Sequence, residues 1–161
     1  MRQRFLAATV LCVLAMPAFP ALAQFATLPS AGTAMNFSRA QCDALREIEG
    51  AVSTRSANDI ERIGAAMEAN QNADPAEVAR ISGLSVPTVS TMGGLNQQDG
   101  MAFSLVFGSM LRQYHPDLLT KVLRERGPLG QVPDVSDNPL GMALLDGMMN
   151  SAQQNYLTQC S

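Results

Sequence analysis

Few side chains in this 161-residue sequence are equipped for chemistry, and most of them limit each other. The cysteines are Cys12, Cys42 and Cys160, and the single histidine is His115. Cys12 sits inside an apolar N-terminal run, which leaves Cys42 and Cys160 as an even pair with one possible bridge. We read them as a structural disulfide tying the last helix to the first. In the chain-entropy account, closing so long a loop costs the unfolded state up to ~4–5 kcal/mol. With that pair consumed and one histidine present, a three-histidine zinc site, a zinc finger and a Cys–His nucleophile pair all lack their donors. No metal site and no cofactor is inferred, and no Gly-x-Ser-x-Gly elbow points to a serine nucleophile.

His115 stands beside Pro116 and Asp117, where a helix must break. An imidazole there suits a general base, a pH-sensitive hinge, or a helix-end residue that packs or caps. Glycoside hydrolysis needs two carboxylates within about 10 Å, and the nearest pairs are Asp43 with Glu47 and Asp134 with Asp137. Each lies where solvated charges normally lie. Methionine is abundant, with Met142, Met148 and Met149 close together near the C-terminus. Thioethers bind Cu(I), but they also fill core gaps and line adaptable grooves, and the second use is the expectation here.

The N-terminus carries Arg2 and Arg4, then an apolar run from Phe5 to Met16, then Ala21-Leu22-Ala23. That order is the layout of a secretory signal peptide, and a run of about 12 residues is short of the ~20 that cross a bilayer. The expected division is therefore residues 1–23 as signal peptide, 24–37 as a flexible leader and 38–161 as a helical domain. Removing Arg2 and Arg4 from the 11 basic residues leaves 9 against 14 acidic ones, a net charge of about −5. Such a surface repels phosphate backbones and has no general attraction to anionic membranes. The expected destination is the periplasm or the exterior, with no stable membrane insertion after cleavage.

Periodicity predicts an all-α chain, a single-domain bundle of five to seven helices, because no segment alternates long enough for a strand. Ser38 and Gln41 form a capping box before a helix whose stripe is Cys42, Leu45, Ile48 and Val52. Ile60, Ile63, Gly64 and Met67 give a second helix one apolar face, capped by Ser56 or Asn58. Asp74-Pro75-Ala76-Glu77 starts a short third one that stops at Gly83. Asn96 or Gln97 opens a long helix with almost no polar side from Met101 to Leu111, the pattern of a buried core helix. After Pro116 a short helix turns Leu118, Leu119, Val122 and Leu123 inward. Gly127 to Pro139 is a loop, and Leu140 to about Gln159 is the last helix. Gly100, Ser104 and Gly108 are expected to meet Ala143, Gly147 and Ser151 at close approach between the two long helices.

The stretch AEVARISGLSVPTVSTMGGL, Ala76 to Leu95, resembles the helix-turn-helix of MarR, ArsR or LacI regulators. Val78, Ala79, Gly83, Leu84 and the run Ser85 to Ser90 carry the likeness, which covers about 20 residues. It implies two short helices about a tight turn, and in those families DNA binding. Base and phosphate contacts need basic side chains, yet there is no Lys or Arg from Ile81 to Leu111, and Gly93-Gly94 frays the second helix. The motif is read as backbone shape, with no nucleic-acid partner. The functional expectation is an exported protein that binds a protein partner, as an accessory, inhibitor, immunity-type or chaperone-like factor, and does no catalysis. The candidate interaction residues are Val132, Val135, Met142, Met148 and Met149. An envelope hydrolase using His115 or surface carboxylates is the alternative, and DNA binding a remote one.

Overall fold

The computed structural model describes residues 35–70, 72–126 and 139–161. The expected signal peptide, most of the leader, and Asp134, Asp137, Val132 and Val135 lie outside the described residues. Within them the chain is all-helical, with seven helices: α1 Arg39–Thr54, α2 Ala57–Ala69, α3 Pro75–Ser82, α4 Val86–Gly93, α5 Gln97–Tyr114, α6 Pro116–Arg126 and α7 Pro139–Cys160. None of these is long and apolar enough to cross a membrane.

Local chemistry accounts for the boundaries. Ser38 Oγ accepts from the Gln41 amide while Gln41 Oε1 accepts from the Ser38 amide, closing the capping box. Ser56, not Asn58, caps α2 by accepting from the Asp59 amide at 3.2 Å. Asp74 Oδ1 receives the Ala76 and Glu77 amides at the start of α3, and Asn96 caps α5 through the Asp99 amide at 2.8 Å. Gly83 ends α3 at φ +66°, a left-handed conformation that glycine adopts without strain. Ser85 then caps α4, so the bend has the expected helix-turn-helix shape.

One core runs through the bundle. It contains Leu45, Ile48 and Val52 of α1, Val89 and Met92 of α4, Val106, Met110 and Leu111 of α5, Leu119 and Leu123 of α6, and Met149, Ala152 and Tyr156 of α7. α5 is the hub, against α1, α6 and α7, and α1 packs on α4. Met35 and Phe37 lie against this core, and Phe37 sets its ring edge-on to Phe103, centroids 6.3 Å apart. The Phe37 amide donates to Gln159 Oε1 at 2.8 Å, which ties the segment before α1 to the C-terminal end of α7.

Cys42 and Cys160 are bonded, with Cα atoms 5.2 Å apart and both residues buried, joining the first helix to the last as expected. The expected meeting of small-residue stripes needs correction. α5 and α7 do form the most extensive helix pair. At Gly108, however, the occupant is Met149: a Cβ placed there would lie 3.0 Å from its Sδ. Gly147 faces open space and Ala143 is exposed. Met149 lies about 200° around the helix from Gly147, so burying the one turns the other outward. Small residues marked the wrong side because α7 is apolar on more than one side.

Candidate functional site

α7 packs through Met149, Ala152, Tyr156 and Cys160, with Met142, Leu145 and Met148 partly buried beside them. Its opposite side carries Leu140, Ala143, Leu144 and Gly147 over two turns, and Leu140 and Leu144 are 78 % and 49 % exposed. From Asn150 onward the same outer side is mainly polar, through Asn150, Gln154 and Thr158, with Leu157 a single exposed leucine at 54 %. The continuous apolar strip therefore lies in the N-terminal half of the helix. Single exposed leucines are ordinary on a protein surface, but two on one helical face beside residues without bulk make a continuous apolar strip. Asp146 borders it, held by Arg112 at 3.1 Å, and Arg112 also donates to Asn150.

α7 is fixed firmly from behind. Tyr156 is buried, and its hydroxyl donates to Glu49 Oε2 at 2.8 Å. The Tyr114 hydroxyl approaches Glu49 Oε1 at 3.5 Å, the outer limit of a hydrogen bond. Burial, and then the hydrogen bond to the Glu49 carboxylate, raise the Tyr156 pKa well above the phenol's ordinary value. Tyr156 thus stays protonated and keeps donating. Arg46 donates to the Cys160 carbonyl at the helix end, where a cation favours the negative pole of the dipole.

The residues expected to do chemistry are engaged structurally. His115 caps the end of α5, and its Nε2 lies 2.9 Å from the Val52 carbonyl oxygen. A carbonyl only accepts, so that nitrogen carries the proton and binds the end of α5 to α1. Asp43 pairs with Arg46 at 3.1 Å on the surface. Glu47 does something its spacing from Asp43 did not suggest. Its Oε1 accepts from the Ser85 amide at 2.6 Å, and its Oε2 accepts from Ser85 Oγ at 2.6 Å and Thr88 Oγ1 at 2.5 Å. Burial disfavours the Glu47 anion, but the Ser85 and Thr88 hydroxyls and the Ser85 amide outweigh that, and its pKa is lowered.

This carboxylate occupies the N-terminal pole of α4, where a recognition helix in the resembled families would meet phosphate. On the other side of the bend, Arg55 donates to the Ser82 carbonyl at 2.6 Å, and its Nη2 lies 2.7 Å from where a Gly83 Cβ would be. α1 and the residue after it therefore hold both sides of the turn. Among the described residues, no cluster of His, Cys, Asp and Glu is arranged to hold a metal ion.

No known protein family matches this chain. Neither a curated protein nor a solved structure resembles it. Function must therefore be argued from the site alone.

Of the residues expected to interact, Met149 is 2 % exposed and seated at Gly108, while Met142 and Met148 are partly buried against the core. The methionine side of α7 is its inner side. Leu140 and Leu144, which sequence reading passed over, form the outer one. The signal available was the absence of any charge in α7 before Asp146. What it lacked was a direction.

Proposed function

We propose that this is a small exported helical protein that works by binding a protein partner through the outer face of α7, not by catalysis. The carrying observation is the apolar strip Leu140, Ala143, Leu144 and Gly147 on a helix seated beside it by Met149 against Gly108 and the Asp146–Arg112 ion pair, and tied at its far end by a disulfide and the Tyr156–Glu49 hydrogen bond. A rigid helix presenting apolar side chains loses little conformational freedom on association, so burial of the strip contributes to affinity with little offset.

Export is supported by the signal-peptide layout of residues 1–23 and by a cysteine pair suited to an oxidising compartment. A binding role is favoured over a hydrolytic one by the engagement of His115, Asp43 and Glu47 in holding helices together. The absence of basic residues from Ile81 to Leu111 and the filling of the α4 pole by Glu47 both weigh against nucleic acid. The test is affinity capture from the cell envelope with the oxidised protein, run beside Leu140→Glu/Leu144→Glu. A partner held by the first and lost by the second is expected. Equal capture by both would remove this face from the proposal.

A further inference from the structure

Resting on the reading of α7 as a docking face, we infer that its occupant is a second copy of the chain, paired antiparallel about a two-fold axis between Ala143 and Leu144. The strip suits itself. Two-fold pairing about that point sets Leu140 opposite the second copy's Gly147, and Leu144 opposite the second copy's Ala143. Each leucine meets a residue without bulk, and the relation holds in both directions, as an isologous interface requires. The notch at Gly147 is real: a Cβ there would have nothing within 4 Å. Small residues opposite large ones let two helices approach to about 8 Å.

Charge allows the contact. No ionisable residue lies between Pro139 and Leu145, and Asp146 at the border is already paired with Arg112 at 3.1 Å. An acidic chain thus brings its two copies together at a surface with no unpaired like charge. Size sets the strength. Two helical turns span ~11 Å, and their apolar strip falls short of the roughly 800 Å² per partner that standard interfaces bury. The dimer is therefore weak and concentration-dependent.

The test uses the oxidised chain. Its weight-average sedimentation coefficient should rise between ~1 μM and ~1 mM, the range a small interface implies. Gly147→Leu fills the notch, and its Cβ would have open space around it in its own chain. It should raise the dimer dissociation constant about tenfold or more while the monomer melts no lower than wild type, since helix propensity favours leucine over glycine. Leu144→Cys, next to the axis, should form an intermolecular disulfide far faster than Gln154→Cys on the polar half of the same side. A constant sedimentation coefficient overturns the inference, as does equal cross-linking of the two cysteine variants. So does a Leu144→Cys thiol shielded from alkylation at dilution, which would mean that residues 127–138 of the same chain cover the strip. If the chain stays monomeric while Leu140→Glu/Leu144→Glu still loses an envelope partner, the second copy is wrong and the docking face stands.

Discussion

Glu47 offers the sharpest test of how the helix-turn-helix is held. Its carboxylate receives three hydrogen bonds from Ser85 and Thr88 at 2.5–2.6 Å, at the positive end of α4. Hydrogen bonds to a charged group are worth about 1.5–3 kcal/mol each when buried, but Glu47 is only partly buried and water competes for it. Glu47→Ala should therefore cost about 2 kcal/mol, well below the sum of three full bonds. For a domain of this size that is a fall in Tm of roughly 6–10 °C.

Glu47→Gln should lose about half as much, because one amide oxygen still accepts while the amide NH₂ faces a donor. The pH dependence has a definite sign. The folded-state pKa is lowered below the ordinary value of 4.5, so the contribution is complete above about pH 4.5 and is lost as pH falls through the folded pKa. Urea denaturation of wild type and Glu47→Gln from pH 7 to pH 3 should show two stability curves that converge in acid. Parallel curves, or a neutral-pH difference below ~0.3 kcal/mol, would refute the assignment.

Four further outcomes follow from the packing. Replacing Cys42 and Cys160 together with serine should lower stability by ~3–5 kcal/mol, because the bridge spans 118 residues, and wild type in reductant should reproduce the loss in a denaturation curve. Gly108→Leu should cost about 2–3 kcal/mol by colliding with Met149, whereas Gly147→Ala should be neutral or stabilise by up to ~1 kcal/mol through helix propensity; thermal melts separate the two. Gly83→Ala should cost ~1–3 kcal/mol, from the left-handed φ of +66° and the nearby Arg55 guanidinium, and Arg55→Ala should relieve only the steric part in a double-mutant cycle. Tyr156→Phe should cost about 1–2 kcal/mol, and its effect should be non-additive with Tyr114→Phe because both hydroxyls address Glu49.

What was legible in the sequence was whatever a segment decides by itself. The caps at Ser38, Asp74 and Asn96 and the left-handed stop at Gly83 depend on a few neighbouring atoms, and each stands where the residues indicated. The stripe Cys42, Leu45, Ile48 and Val52 is buried as its spacing required, and its first member bonds to the other cysteine. The contacts that spacing does not encode are those made across the bundle. Glu47 and Ser85 are 38 residues apart, Glu49 and Tyr156 107 apart, His115 and Val52 63 apart. Each side chain taken alone has the profile of a solvated or catalytic group, and only the fold shows what it meets.

The two long helices show where reading from periodicity ends. α5 and the first half of α7 are both apolar around most of their circumference, and a helix of that kind is ordinarily buried. For α5 the inference holds, since α1, α6 and α7 all pack on it. α7 packs mainly on α5 and less on α1, and Leu140 and Leu144 on its outer side stay exposed. Hydrophobic pattern reports how many sides of a helix tolerate burial; the number of neighbours comes from topology. The difference between those two quantities is the exposed strip Leu140, Ala143, Leu144 and Gly147. If the strip served only the monomer, charged replacements at Leu140 and Leu144 would be as harmless as other surface changes, within about 0.5 kcal/mol, and would alter no association. The docking reading requires the same stability result and a different association result. Melting and sedimentation of Leu140→Glu/Leu144→Glu, measured together, therefore separate a surface that is merely apolar from one that is used.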